Sequence, residues 1–330
     1  MRPVRENTRS AHVPGQERTA EGFATAMAAL EGAAAPEDVA GHAFCSGRAA
    51  LTAVLLAFLR EGAHVVAPAP GAEPLAGVLS RFGVSADFVD MADLERVRQA
   101  VRPSTGLLYA ETLAEQVTDL RGLYRIARQA GALLVVDSTL AGPFVCRPLE
   151  HGADLVLHEA APLLGGHDGC AGGVVTGRPD LVAKLRRVCA DLGVELPPGE
   201  AGTLRGGLRT LPVRVRRMCS TAMMFAASVA KHPRALDVAY PGLPEHPGHQ
   251  LARRLYDCGP EGTRFGFCVG LTPLGDATAF VKSLDLVEEG PLGGSRTRAR
   301  VSGGRVLFSI GLEDAEDLLE DVTRALDSLS

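Results

Sequence analysis

The sequence predicts an α/β fold: a mostly parallel, buried sheet followed by a smaller C-terminal region. Short apolar runs recur at His64-Val-Val-Ala67, Gly106-Leu-Leu-Tyr-Ala110, Ala132-Leu-Leu-Val-Val136, Leu155-Val-Leu157 and Gly173-Val-Val-Thr176, each flanked by Gly, Pro or charge. Runs that are apolar at both alternating positions suit strands covered on both faces, and the helical patterns between them suit parallel crossovers. After Pro197-Pro-Gly199 the pattern changes to one long helical stretch and a second, smaller region.

Taken in order, residues 1–20 are polar and read as an N-terminal arm. A helical segment closes near 28–32, and 47–59 has apolar positions at helical spacing behind Ser46, a residue suited to capping. The five apolar runs follow, with helices expected over 121–130 and 178–192. A long helix is expected over about 210–230, and an acidic amphipathic helix over 313–329 closes the chain. This organisation divides the chain into an arm (1–20), a large α/β domain (21–209) and a small α+β domain (210–330). No internal repeat is present.

Composition excludes several classes of function. The 330 residues are 46% hydrophobic, enough for a substantial core, and the formal charge of -5 leaves no basic footprint for nucleic acid or an anionic membrane. Met1-Arg-Pro-Val-Arg-Glu-Asn7 has no apolar leader, and no later run is apolar for long enough to span a bilayer, so a cytoplasmic location is expected. Seven cysteines lie scattered without a CxxC, which predicts free thiols, with Cys45 a small buried apolar residue. His158, Glu159, His167, Asp168 and Cys170 are metal-ligand types, but not at HExxH spacing, and no metal is expected. Gly165-Gly166 and Gly172-Gly173 read as tight turns, because no GxGxxG joins a strand to a helix.

The stretch Gly152-Ala-Asp-Leu-Val-Leu-His-Glu-Ala-Ala-Pro-Leu-Leu-Gly-Gly-His167 carries a more specific signal. With Cys45-Ser-Gly-Arg-Ala-Ala50, Glu111-Thr112, Leu134-Val-Val-Asp-Ser-Thr139, Leu208-Arg-Thr-Leu-Pro212, Tyr240-Pro-Gly-Leu243 and Ser309-Ile-Gly-Leu-Glu-Asp314, it resembles the Cys/Met-metabolism family of pyridoxal-phosphate enzymes. That family includes cystathionine γ-synthase, cystathionine lyases and methionine γ-lyase. The resemblance spans almost the whole chain and implies the pyridoxal-phosphate transferase fold of type I, with an aspartate-aminotransferase-like large domain.

It also implies losses. The family's G-A-D-x-V-x-H-S-A-T-K-Y-L-G-G-H has its Schiff-base lysine where this chain has Pro162, and proline has no primary amine. The three lysines, Lys184, Lys231 and Lys282, lie far from this stretch in sequence and read as solvated. Hydroxyl positions of the family's phosphate cup fall on Glu159 and Ala161, while Ser46 and Gly47 keep its turn and Arg48 replaces its Met. A carboxylate about 4 Å from a phosphate is repelled by roughly 4 kcal/mol per unit charge at an effective dielectric near 20. The neighbouring subunit's phosphate-gripping Tyr and Arg fall on His12 and Pro14, with Arg18 the nearest basic residue, and the substrate-carboxylate Arg falls on Leu307. Ala67-Pro-Ala-Pro-Gly-Ala-Glu73 lacks the family's ring-stacking Tyr.

Asp137 matches the residue that pairs with the pyridinium nitrogen, and equally suits a turn cap before Ser138 and Thr139. Ser46, Gly47, Arg48, Asp137, Glu159 and Ala161 are therefore expected as a vestigial cofactor site, with an Arg48–Glu159 ion pair inside it. No catalytic residue and no covalently bound cofactor are expected in this chain. The resemblance implies an active homologue as partner in a hetero-oligomer, with pyridoxal phosphate in that subunit alone. A homo-oligomeric binding or scaffold protein is the other reading, and cofactor-independent catalysis finds no constellation to support it.

Overall fold

The computed structural model describes residues 19–32, 38–69, 73–113, 116–166 and 169–329. Residues 1–18 of the expected arm, His12, Pro14 and Arg18 among them, lie outside these, as do His167, Asp168 and 70–72 of the 67–73 stretch, while Thr19 and Ala20, also placed in the arm, instead cap and begin the first helix. In chain order the first part comprises α1 (Ala20–Glu31), β1 (Ala40–Phe44), α2 (Gly47–Phe58), β2 (His64–Pro68), α3 (Glu73–Arg81), β3 (Ser85–Val89), α4 (Leu94–Ala100), β4 (Thr105–Glu111), α5 (Leu120–Ala130), β5 (Leu133–Asp137), β6 (Leu155–Glu159), β7 (Gly173–Gly177), α6 (Pro179–Leu192) and α7 (Pro198–Leu208). Helix α8 (Leu211–Val229) leads to β8 (Ala235–Ala239), α9 (His249–Leu255), β9 (Cys258–Gly259), β10 (Gly262–Thr263), β11 (Cys268–Pro273), α10 (Ala277–Lys282), β12 (Glu288–Glu289), β13 (Arg298–Ser302), β14 (Arg305–Ser309) and α11 (Ala315–Ser328).

The first sheet has seven strands in the order β1-β7-β6-β5-β4-β2-β3. Strands β6, β5, β4, β2 and β3 run parallel, and β7 is reversed between β6 and β1. Its central strands are covered on both sides. Leu108, Leu134, Val136 and Val156 face one apolar cluster, while Leu107, Tyr109, Val135 and Leu157 face another that includes Ala50, Ala53 and Val54 of α2. Side chains alternate across a strand, so the two clusters share β4, β5 and β6 between them.

The helices begin and end where their sequences dictate. The Ser46 hydroxyl accepts from the Ala49 amide and caps α2, and Asp119 does the same for α5 through Gly122. Gly131 and Gly193 end α5 and α6 in the left-handed region, which a side chain resists. A second, five-stranded sheet, β12-β13-β14-β11-β8, is antiparallel except where β12 meets β13. Phe308 of β14 packs against Phe225 of α8 and Phe280 of α10.

Between β6 and β7 the chain makes a π-helical turn, Ala161–Gly165, closed by the Gly165 amide on the Ala160 carbonyl at 3.0 Å. Pro162 stands near its start, where a missing N–H costs little. Arg214 of α8, buried, holds the turn from below: its guanidinium donates to the carbonyls of Leu163, Leu164 and Gly207 at 2.6, 3.1 and 3.0 Å. Helix α7 crosses the turn so closely that a Cβ on Gly207 would collide with the Gly165 and Leu164 carbonyl oxygens. Gly207→Ala is therefore expected to cost about 1–3 kcal/mol and lower Tm by several degrees in scanning calorimetry; an unchanged Tm would show that this close packing does not hold.

Candidate functional site

The site forms at the carboxyl ends of β4, β5 and β6, the edge at which open α/β sheets place their ligands. Each of these strands ends in an acid: Glu111, Asp137 and Glu159. Register sets Tyr109 beside Val135, Glu111 beside Asp137, and Asp137 beside Leu157. Because Tyr109, Val135 and Leu157 face α2, the period of two turns Glu111, Asp137 and Glu159 to that same face.

A chain of hydrogen bonds links Asp137 and Glu159 to the N-terminus of α2. The Tyr109 hydroxyl donates to Asp137 Oδ2 at 2.9 Å, and the Thr139 amide donates to Asp137 Oδ1 at 2.9 Å. The Glu159 amide donates to Thr139 Oγ1 at 2.9 Å, and Glu159 Oε2 accepts from the Gly47 amide at 2.9 Å. Asp137 thus makes the turn cap that its sequence context allows, and its second oxygen is engaged by a phenol.

The Arg48–Glu159 ion pair expected from the sequence does not form. Arg48 points from the first turn of α2 into solvent, and among the described residues it has no ion pair or hydrogen bond. Glu159 instead faces the Gly47 amide, one of the unpaired donors at a helix start, which is already in place and carries the positive end of the helix dipole. Antiparallel pairing sets Glu159 directly opposite Gly173, which lies against the Ser46 carbonyl, so the strand delivers this side chain to the turn. A Cβ on Gly47 would lie 2.6 Å from Glu159 Oε2.

Burial dominates the electrostatics. Desolvation, with the Asp137 carboxylate adding to it and Arg300 opposing, pushes the Glu111 carboxyl up to about 7. Burial also raises Glu159, against the lowering effect of the Gly47 amide, with Asp137 raising and Arg48 lowering it further. The Tyr109 hydroxyl is held well above its ordinary range, first by burial and then by Asp137 and Glu111.

Pro162 and Ala161 lie at the rim, half-buried, and a Cβ on Gly293 would approach Pro162 Cβ to 3.0 Å. Gly293 is tied to the small sheet through Ser309 Oγ, which accepts from its amide at 2.9 Å. Leu307, two residues earlier on β14, is buried and directly across from Arg300 of β13. Lys184, Lys231 and Lys282 are all exposed, with Lys184 over the Phe58 ring at 5.7 Å, and none lies at this edge. No group of three or more His, Cys, Asp or Glu among the described residues could hold a metal ion. His158 is wholly buried, its Nε2 2.8 Å from Glu31 Oε1, and Cys45 is only partly buried.

Tyr109, Glu111 and Arg300 belong to the site although the motifs do not single them out as functional. A signal for Glu111 was present: three apolar runs each end in an acid, which aligned parallel strands must bring together. Tyr109 follows from Glu111 by alternation, whereas Arg300 depends on how the second sheet pairs.

A seven-stranded, mostly parallel sheet with one reversed strand and a smaller antiparallel sheet defines the fold-type-I class of pyridoxal-phosphate enzymes. The chain belongs to the Cys/Met metabolism PLP-dependent enzyme family, whose model matches residues 14–297. It is 36% identical over 336 residues to a cystathionine gamma-lyase of Bacillus subtilis, covering 94% of this chain and 88% of that one. It is also 36% identical to a canavanine gamma-lyase of Rhizobium leguminosarum over 318 residues, 88% of this chain and 79% of the other. The crystal structure of metB from Corynebacterium glutamicum superposes with a TM-score of 0.86 at 31% identity, covering 94% of this chain and 85% of that one. No helix among the described residues is long and apolar enough to cross a membrane.

Glu111 gives the site a measurable signature. Its carboxyl binds a proton more tightly folded than unfolded, so its contribution to stability is intact below about pH 4.5 and is lost as pH rises to about 7. Glu111→Gln is expected to remove this slope, gaining up to roughly 3 kcal/mol over the parent at pH 8 relative to pH 4. Denaturant melts of both proteins across that range measure it; parallel curves would show that Glu111 is not desolvated.

Proposed function

We propose that this chain is a catalytically degenerate member of its family that does not carry pyridoxal phosphate itself and serves as the non-catalytic subunit of an active homologue. The observation that carries the reading is the absence of an amine at the carboxyl edge of the sheet: Pro162 stands in the turn after β6, and all three lysines are exposed elsewhere. Pyridoxal phosphate would bring a dianionic phosphate, an aldehyde and a pyridine nitrogen, and the residues present do not suit it. No side-chain amine faces the aldehyde, Asp137 is engaged by Tyr109 and Thr139, and three carboxylates share the face that would meet the phosphate. Leu307 offers the substrate no charge.

A chain that keeps its family's architecture while lacking these handles is suited to assembly. The partner subunit would supply the lysine and cofactor, and this chain would stabilise or shape the partner's site. The reaction of the complex would be β- or γ-elimination or substitution on sulfur-containing or O-activated amino acids, a reading that the names of two relatives, cystathionine gamma-lyase and canavanine gamma-lyase, support for γ-elimination.

Co-expression with homologues from the same genome, followed by mass measurement of the purified complex, tests this reading. A hetero-oligomer is expected, with the visible absorption of lysine-bound pyridoxal phosphate in the partner only. A stable homo-oligomer that ignores every homologue would favour the scaffold reading, and visible cofactor absorption from this chain alone would overturn both. Pro162→Lys is expected to stay below about one-thousandth of an active relative's kcat/KM, because Glu159, Ala161 and Leu307 remain.

A further inference from the structure

We infer that helices α5 and α11 are the two halves of one electrostatic contact between copies of this chain, the arginine ridge of one copy docking on the acidic ridge of another. Neither helix contributes a residue to the carboxyl-edge site, and the contact needs neither an active homologue nor a cofactor.

Helix α5 carries three arginines and no acid. Arg121, Arg125 and Arg128 fall at i, i+4 and i+7 and are all exposed, so they form one line along the outer face. The acids nearby are already committed: Asp119 caps Gly122, and Glu150 lies 3.1 Å from Arg147. Arg121 donates to His151 Nδ1 at 3.3 Å, while His151 Nε2 sits 2.8 Å from the Leu255 carbonyl, the arrangement of an uncharged ring. Burial, first among its causes, also holds that imidazole below its ordinary range. The guanidinium groups of Arg125 and Arg128 have no ion pair or hydrogen bond among the described residues. Helix α8 also has three arginines without an acid, but Arg214 is buried on carbonyls, and Arg216 and Arg217 lie 3.5 and 3.6 Å from Glu261 and Asp314. The α5 ridge is left without counter-charge.

Helix α11 is its complement. It holds five acids against one arginine, and Arg324 is spent on Asp321 and Asp285. Glu316 and Glu320, one turn apart like Arg121 and Arg125, are exposed, and their carboxylates have no ion pair or hydrogen bond among the described residues. A shallow groove of about 510 Å³ lies beside them, lined by Leu319, Glu320, Thr323, Arg324 and Asp327. Tyr124, 37% exposed within the arginine ridge, is the side chain to enter it. Its ring is already seated on Gly152, where an added Cβ would lie 2.5 Å from Tyr124 Cγ, so docking costs it little freedom. Opposed ridges on one chain point to a second copy as the occupant, because a foreign polyanion would leave α11 unused. Two copies related by a two-fold axis make the contact twice, α5 on α11 and α11 on α5.

Sedimentation of the full chain and of charge-reversed variants, with the assembly mass as readout, provides the test. At about 50 mM salt the parent should assemble, and the contact should weaken at least about tenfold by about 500 mM. The double variants Arg125→Glu/Arg128→Glu and Glu316→Arg/Glu320→Arg should each at least halve the assembly mass. An equimolar mixture of the two should restore it, because the reversed ridges again match. Glu320→Arg alone, which leaves the first turn of α11 intact, serves if circular dichroism shows that the double reversal does not fold. Arg187→Glu, an exposed reversal on α6, should change nothing. Equal masses for the parent and the folded reversed variants overturn the contact, as does a mixture that fails to reassociate. A parent mass indifferent to the α5 reversal, with binding to a co-expressed homologue lost instead, also overturns it and assigns the ridge to that partner. These masses are read from this chain alone, so they stand apart from the co-expression result.

Discussion

The aligned ends of three parallel strands are the constraint on which the rest of the site depends. Once β4, β5 and β6 pair in their observed register, the period of two leaves no freedom: Glu111, Asp137 and Glu159 must emerge on the α2 face, with Asp137 on the strand between the other two. Three carboxylates so placed need donors or protons, and each finds a different solution. Asp137 takes a phenol and a backbone amide, Glu159 takes a helix start, and Glu111 holds its proton to near neutrality. The hydrogen-bond chain from Tyr109 to Gly47 is thus a consequence of strand register as much as of residue identity.

The second sheet closes this edge from the other side. Helix α8, 19 residues long, carries Arg214 under the π-helical turn at one end and Phe225 against Phe308 at the other, so one rigid element positions both walls. A buried pair adds a tie away from the cleft. Arg147, just before the turn 148–151, contacts Asp257 Oδ2 at 2.7 Å, and the Asp257 amide donates to the Val145 carbonyl at 2.7 Å. Burial raises the Asp257 carboxyl to about 6 even with Arg147 beside it, the usual outcome when desolvation exceeds pairing.

Much of this was legible in the sequence, and the rest was hidden for physical reasons. The apolar runs at 64–67, 106–110, 132–136, 155–157 and 173–176 became β2, β4, β5, β6 and β7 to within two residues, because strands buried on both faces announce themselves by composition. β1 was not legible: Ala40-Gly-His-Ala-Phe44 has neither a clear alternation nor a long apolar run, and its partner strand, Gly173–Gly177, lies far along the chain. The reversal of β7 left no trace, since direction is not written in side chains. At the site, motif reading located Ser46, Gly47, Asp137 and Glu159, yet it gave Glu159 the wrong partner. Side-chain chemistry suggests that a carboxylate seeks a guanidinium, and only the fold reveals that a backbone amide was closer.

The hydrogen bonds by which Arg214 holds the Ala161–Gly165 segment go to its main-chain oxygens, the carbonyls of Leu163 and Leu164. These bonds are therefore indifferent to what side chains residues 161 and 162 carry, provided the backbone can follow the curve. A change of side chain at either position is expected to leave these three-way contacts to Arg214 in place. The course of the chain through this turn and the chemistry its side chains offer are thus set by different residues.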